Sequence, residues 1–285
     1  MPLPTPTVHL RLLLVGLHLL SGALQVALLF RLGGTRWRER LRRIWSRHLL
    51  TLLGIRVESV ADALAGIEDG LVVGNHISFI DIYVINALLP CGFVAKSEVA
   101  RWPLIGWLSR RNDTLFIERC SRNAAHRTHQ SVLEALGAGR RVAIFPEGTT
   151  TAGDKLLPFH AALFQSAIDA AVPVHALAIS YHDASGARSG APAYIDDIGL
   201  VDCMISVIQA GGLVARVTLA QSFPPPLPDR RELARRARQA VAAALGGEPE
   251  LAPPAPLRHF DPSNSGGKAP NSAVQSLRNE AAIRL

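Results

Sequence analysis

The chain has 285 residues, of which 48% are hydrophobic and 6% aromatic, and its 30 basic and 23 acidic side chains give a formal net charge of +7. This hydrophobic fraction excludes a disordered chain, and the length suits one sizeable domain with appendages or two small domains. The positive charge suits an anionic membrane surface or an anionic substrate. Because no RNA-recognition motif or zinc-site spacing accompanies it, we expect no nucleic acid partner.

Residues 12–30 form a run of nineteen residues without a charged side chain. As a helix this run would be about 28 Å long, which is roughly the hydrocarbon thickness of a bilayer. A cleavable signal peptide is the alternative, but no A-x-A cleavage site follows the run. We therefore predict a hydrophobic membrane anchor over residues 8–31. Most of the flanking arginines follow the run, so the rest of the chain is expected on the cytoplasmic side of the inner membrane.

Residues 36–54 mix arginines with apolar side chains at helical spacing, including Trp45. This pattern predicts a basic amphipathic helix that lies on the anionic membrane surface, with its arginines toward the headgroups. The alternative is a helix packed on the neighbouring domain.

From residue 55 onward, strand-like and helix-like segments alternate, which predicts an α/β domain over residues 55–246 with a central, mostly parallel or mixed sheet flanked by helices. The predicted strands are 55–60, 71–73, 92–94, 114–117, 141–145, 174–181 and 213–219. The predicted helices are 79–89, 97–109, 121–136, 159–170 and 200–209, with a last one that a capping box starts at Asp229 and that ends near 245. The polar tail, residues 247–285, is predicted to be disordered.

His76 and Asp81 stand just after the predicted strand 71–73, at the end of a strand, where ligands of open α/β sheets gather. On one continuous helix, side chains five residues apart would diverge by about 140°. They can meet only if His76 precedes the helix and Asp81 lies in its first turn, with Ser78 as the N-cap. Such a pair suits a general base and the carboxylate that orients it, although the same residues also read as a plain capping box.

A second turn follows another predicted strand, in the run Phe145-Pro146-Glu147-Gly148-Thr149-Thr150. Glycine permits close backbone approach, and successive N–H groups in such a turn suit an anion or a developing oxyanion. Taken alone, the segment could also be an ordinary strand-to-loop turn.

Together these segments resemble the glycerolipid acyltransferase family, whose best-known members are the lysophosphatidic acid acyltransferases. The family's first motif, Asn-His-x4-Asp, is matched by Asn75, His76 and Asp81. The other matching segments are Phe116-Ile117-Glu118-Arg119, Phe145-Pro146-Glu147-Gly148-Thr149 and Val172-Pro173-Val174, with a further similarity around Lys96.

This resemblance implies direct transfer of an acyl group from an acyl-carrier protein or coenzyme A thioester to a lipid hydroxyl, with His76 as base and Asp81 as its partner. It also implies that Arg119, Glu147, Gly148 and Thr149 position the acceptor, with Lys96 at the edge of the site. No cofactor or metal is expected beyond the thioester co-substrate.

The sequence departs from the family pattern at Thr150, where the third motif has an arginine, and in the lysine-rich run that follows that motif. The first expectation for the acceptor is still 1-acylglycerol-3-phosphate, which would give phosphatidic acid. Since a zwitterionic acceptor needs fewer cations, the alternative is lyso-ornithine lipid. Two other classes are a non-enzymatic membrane-surface protein and a metal-dependent hydrolase built on His126, His129 and Glu134, for which helix-surface polarity is the simpler explanation.

Overall fold

The computed structural model of the chain describes residues 5–59, 64–96, 100, 103–117, 122–195 and 197–246. Arg119 and the tail 247–285 lie outside these residues, and for Lys96 only the backbone is described.

The structure is a mixed α/β domain, as predicted. Its strands are β1 (Ile55–Ser59), β2 (Gly70–Gly74), β3 (Gly92–Lys96), β4 (Leu115–Ile117), β5 (Arg141–Ile144), β6 (Val174–His182) and β7 (Leu213–Phe223). Its α-helices are α1 (Thr5–Leu28), α2 (Thr35–Leu53), α3 (Asp81–Leu88), α4 (Pro103–Arg111), α5 (Arg122–Gly137), α6 (Gln165–Asp169), α7 (Leu200–Ala210) and α8 (Arg230–Ala244). A 3₁₀ turn, Ala161–Phe164, precedes α6, so the predicted helix 159–170 is divided in two.

The seven strands form one sheet in the order β1-β7-β6-β2-β5-β3-β4. The β6–β7 pair is antiparallel, and the other strand pairs among the described residues are parallel. β2 lies between β5 and β6, so the carboxyl ends of all three strands meet at one edge of the sheet. This edge is where both motifs that follow β2 and β5 come together.

The sheet is covered on both faces, which explains why its central strands are almost wholly apolar. Residues of β2 alternate between the two layers: Val72 belongs to the cluster with α1, α2, α3 and α7, and Leu71 and Val73 to the cluster with α5, α6 and α8. Alternation of this kind follows from the two-residue period of a strand.

One face of α1 packs against the rest of the protein, and the opposite face is exposed. Val8, Val15 and Val26 are buried, and the Gly22 position lies against the indole of Trp45 on α2. The two helices are clasped by reciprocal bonds, since the Trp45 indole N–H donates to the His18 carbonyl and the His18 ring bonds the Trp45 carbonyl. The opposite face exposes seven large side chains, Leu10, Leu13, Leu14, Leu17, Leu20, Leu24 and Leu28.

In the part of the chain that the structure describes, α1 is the one helix long and apolar enough to cross a membrane, over Pro6–Leu28, by length and composition alone.

The arginines of α2 do not share one environment. Arg42 is only 8% exposed, and its guanidinium bonds the Cys91 carbonyl and the Asp113 carboxylate at 2.8 Å. Arg47 donates to the Ala87 carbonyl, while Arg36 and Arg40 are exposed. The expectation that the arginines of this helix all point to headgroups is therefore wrong for Arg42, because its charge is satisfied inside the protein.

Candidate active site

His76 and Asp81 are brought together as the sequence predicted. β2 ends at Gly74, His76 precedes the helix, and Asp81 is the first residue of α3. The His76 Nδ1 atom lies 2.9 Å from Asp81 Oδ2. The Asp81 side chain is fully buried, while 19% of the His76 side chain is exposed. The imidazole therefore has one nitrogen held by the carboxylate and a second, Nε2, left for another partner.

The Asp81 carboxylate is held by three further donors. Its Oδ2 atom accepts the backbone N–H of Ile77 at 2.7 Å and that of Ser78 at 2.9 Å. Its Oδ1 atom accepts the hydroxyl of Tyr181, on β6, at 2.7 Å. Hydrogen bonds to an ionised carboxylate stabilise its charge in a buried site. Both oxygens of the Asp81 carboxylate therefore accept hydrogen bonds from the protein, which replace its lost hydration.

The prediction that Ser78 caps this helix is wrong. The residue before α3 is Ile80, which makes no side-chain cap, and the Ser78 hydroxyl lies 3.9 Å from the Cys203 sulfur on α7. Half of the expected box does form, because Asp81 accepts the Ser78 N–H. The Asp81 carboxylate thus bonds both the backbone of the turn and the His76 imidazole.

The turn after β5 holds the backbone of His76. Glu147 Oε1 accepts the His76 N–H at 2.8 Å, and Oε2 accepts the Leu157 N–H at 2.9 Å. The Thr151 N–H donates to the His76 carbonyl at 2.9 Å. Phe145 stacks on the imidazole, with ring centroids 3.9 Å apart and planes 4° from parallel. The turn after β5 therefore fixes the position of the His76 ring as well as that of the His76 backbone.

Gly148 and Thr149 are exposed at the mouth of this turn. Gly148 has a φ of +72°, a conformation that favours glycine, and a Cβ there would lie 3.3 Å from the His160 ring. The N–H of Gly148 donates to the Phe145 carbonyl, so it closes the turn. The Thr150 hydroxyl donates to the Tyr194 carbonyl and ties the turn to the segment before α7.

Several residues that hold the site were not predicted from sequence. Asn75 was matched to the motif, but its amide also bonds both the N–H and the carbonyl of Ile179, at 2.8 and 2.9 Å. Arg238, on α8, donates to the Leu156 and Leu157 carbonyls and so supports the segment that bonds Glu147. These contacts join residues about a hundred positions apart, and local sequence patterns carry no signal for them.

Of the residues suggested for a metal site, His129 has other partners. His129 Nδ1 lies 2.9 Å from the Ser166 hydroxyl, and Nε2 lies 3.1 Å from the Asp169 carboxylate. His126 and Glu134 are exposed on α5. Within the described ranges, no group of three or more metal-ligating side chains is close enough to hold an ion.

Burial raises the pKa of Glu147 from 4.5 to about 7, although the two N–H donors lower it. Between these two values the folded protein binds more protons than the unfolded chain, so its stability falls as pH rises. This shift corresponds to about 3 kcal/mol. We predict that the melting temperature of the protein in detergent falls from pH 4.5 to pH 8 by roughly 6–12 °C more than that of Glu147→Gln.

The exposed Glu134→Gln change is the matched control and should keep the slope of the unmodified protein. If the melting temperatures of Glu147→Gln and the unmodified protein changed equally with pH across this range, the raised pKa would not belong to Glu147.

The sequence and structure match known proteins. A family model described as "Acyltransferase" matches residues 56–180. The 1-acyl-sn-glycerol-3-phosphate acyltransferase of Neisseria meningitidis is 35% identical over 207 residues, which cover 72% of this chain and 81% of that protein. The lyso-ornithine lipid O-acyltransferase of Pseudomonas aeruginosa is 39% identical over 210 residues, which cover 74% and 80%.

Among solved structures, the 1-acyl-sn-glycerophosphate acyltransferase PlsC from Thermotoga maritima superposes with a TM-score of 0.61 at 21% identity, over 84% of this chain and 96% of that one. This similarity concerns the fold. The identity and coverage of the relatives, together with the family model, show that the chain belongs to the glycerolipid acyltransferase family.

Proposed function

We propose that this protein transfers a fatty acyl group from a coenzyme A or acyl-carrier protein thioester to the free hydroxyl of a lysolipid, with His76 as general base. The observation that carries the proposal is the His76–Asp81 pair at the end of β2, with Nδ1 bonded to the carboxylate. A neutral imidazole whose Nδ1–H donates to Asp81 presents a lone pair on Nε2. That lone pair can accept the proton of the acceptor hydroxyl.

The chemistry requires one base and no acyl-enzyme. His76 Nε2 takes the proton of the acceptor hydroxyl as its oxygen attacks the thioester carbonyl carbon. The tetrahedral intermediate then expels the thiolate, and the imidazolium returns the proton to the sulfur. The products are an ester and a free thiol. During the reaction the buried Asp81 carboxylate stabilises the imidazolium.

The first acceptor we propose is 1-acylglycerol-3-phosphate, the substrate in the name of the Neisseria relative. Arg119, Gly148 and Thr149 would contact it, Glu147 would act through the His76 backbone that it bonds, and Lys96 would lie at the edge of the site. A bidentate arginine–phosphate contact is the physical reason to expect Arg119 near the headgroup.

Lyso-ornithine lipid is the second candidate, and Thr150 is the observation that favours it. The side chain at this position carries no charge, and its hydroxyl is already bonded to the Tyr194 carbonyl. Thr150 therefore adds no cation for a phosphate monoester, whereas a zwitterionic headgroup demands less positive charge. The Pseudomonas relative is named for this acceptor.

The test supplies purified protein with each thioester donor and each lysolipid separately and identifies the products by mass spectrometry. We expect phosphatidic acid as the main product and a loss of at least about a hundredfold in rate for His76→Ala, since general bases contribute roughly 10²–10⁴. His48→Ala, an exposed histidine of α2, is the control and should keep its activity.

Ornithine lipid as the main product would instead assign the second acceptor. If the protein formed no ester with any pair, it would be a non-enzymatic membrane-surface protein. If His76→Ala kept full activity while remaining folded, the catalytic assignment would be wrong.

The site belongs at a membrane surface because its acceptor is a lipid, and we propose that α1 anchors it there on the cytoplasmic side of the inner membrane. The seven exposed leucines on the outer face of α1 form a stripe that is unfavourable in water and favourable in lipid. Exposed arginines such as Arg31, Arg36 and Arg40 follow the stripe and suit anionic headgroups.

Replacing Leu13, Leu17 and Leu24 together by Gln should move the protein from the membrane pellet to the supernatant, even at low salt. Each of these leucines loses about 2 kcal/mol of apolar burial in lipid. The matched triple Leu→Ile variant keeps the apolar surface and should stay in the pellet. Retention of the Gln variant on membranes at high salt would contradict this anchor.

A further inference from the structure

Tyr181 contacts the catalytic carboxylate from the side opposite His76. Its side chain is 2% exposed, and its hydroxyl donates to Asp81 Oδ1 at 2.7 Å, while His76 bonds Oδ2. The residue lies on β6, a hundred positions from Asp81 in sequence. One buried carboxylate thus connects a phenol on the sheet with the imidazole above it.

The phenol remains protonated, and therefore a donor, to higher pH than an ordinary tyrosine. Burial, and then the neighbouring Asp81 carboxylate, raises the pKa of Tyr181 well above its usual value. A buried tyrosine hydroxyl usually finds a partner, and here that partner is an anion rather than a backbone carbonyl. A hydrogen bond to a charged group is stronger than one between neutral groups. The contact is therefore strong enough to alter how the carboxylate interacts with His76.

The charge on Asp81 is shared among its donors. Each donor that stabilises the carboxylate leaves less negative charge to stabilise a proton on the imidazole. If the Tyr181 donor were removed, Asp81 would favour the imidazolium more strongly, and His76 would be protonated over a wider pH range. A protonated His76 has no lone pair to accept the proton of the acceptor hydroxyl.

We propose that Tyr181 is a positioning residue for acyl transfer, whose hydroxyl orients Asp81 and limits its attraction for a proton on His76. This inference rests on the proposed role of His76 as general base. It extends the pair into a chain of three side chains, Tyr181, Asp81 and His76, and adds β6 to the elements that set the pH range of the reaction.

Among the residues that the structure describes, two other titratable groups lie against these three side chains or their turn. Glu147, from the turn after β5, bonds the His76 N–H, and its raised pKa of about 7 puts its ionisation near neutral pH. Cys203, from α7, lies beside Ser78, and burial raises the pKa of its thiol, so it stays neutral there. Of these two groups, Glu147 can add an ionisation of its own to the pH profile of acyl transfer. The test therefore has to distinguish the effect of Glu147 from that of Tyr181.

The test is the pH dependence of kcat/KM for Tyr181→Phe, in both the unmodified protein and the Glu147→Gln background. We expect the acid limb of the profile to move to higher pH by about one unit, the equivalent of roughly 1.4 kcal/mol. The shift should be present in both backgrounds, with the rate at high pH kept within a fewfold. Tyr83→Phe, the same change at a half-buried tyrosine of α3, is the control and should not move the limb.

A second substitution covers the case in which Tyr181→Phe does not fold. Replacement of Tyr181 by 3,5-difluorotyrosine keeps the shape and makes the hydroxyl a stronger donor, so the acid limb should move to lower pH. An unmoved limb in the folded variants, or a uniform fall in rate at every pH, would overturn the proposal. If the unmodified protein transfers no acyl group, or if His76→Ala is fully active, the proposed function fails instead.

Discussion

The site depends on keeping one fully buried carboxylate charged. Removing a carboxylate from water costs several kcal/mol unless other groups replace its hydration. Asp81 meets this requirement with four donors: two backbone N–H groups of its own turn, the Tyr181 hydroxyl and the His76 ring. The turn that follows β2, the start of α3 and the placement of β6 beside β2 together bring these donors to the carboxylate.

The backbone of His76 is held by a second, independent set of contacts. Glu147 bonds the His76 N–H and the Leu157 N–H, and Arg238 bonds the carbonyls of the same segment. Arg238 lies on α8, beyond the residues that the family model matches. The C-terminal helix therefore supports the motif from outside the matched region. Phe145 adds a flat apolar surface against one face of the imidazole, which restricts its rotation.

Much of the fold could be predicted because its signals are local. All seven strands were predicted, since buried apolar runs between turn residues mark them, and the last helix begins at Asp229, whose side chain caps it. The meeting of His76 and Asp81 was also predicted, because the two side chains can meet when His76 precedes the helix and Asp81 lies in its first turn. Ser78 as a cap was wrong because a turn, closed by the bond from the Asp81 N–H to the Ser78 carbonyl, lies between Ser78 and the start of α3.

The partners of the site could not be read from the sequence, because they lie far apart along the chain. Nothing near Tyr181 indicates that its hydroxyl reaches Asp81, and nothing near Arg238 indicates a contact with Leu157. Likewise, the place of Arg42 in a basic amphipathic pattern does not indicate that its guanidinium bonds the Asp113 carboxylate. The packing of strands and helices against one another decides these contacts.

We propose that Asp81 fixes the His76 tautomer so that Nε2 carries the lone pair. This is measured by the ¹⁵N NMR spectrum of protein labelled at histidine nitrogens, with the His76 signals assigned by their loss in His76→Gln. At a pH where the imidazole is neutral, we expect a protonated Nδ1 and an unprotonated Nε2. A proton on Nε2, with Nδ1 bare toward Asp81, would contradict it.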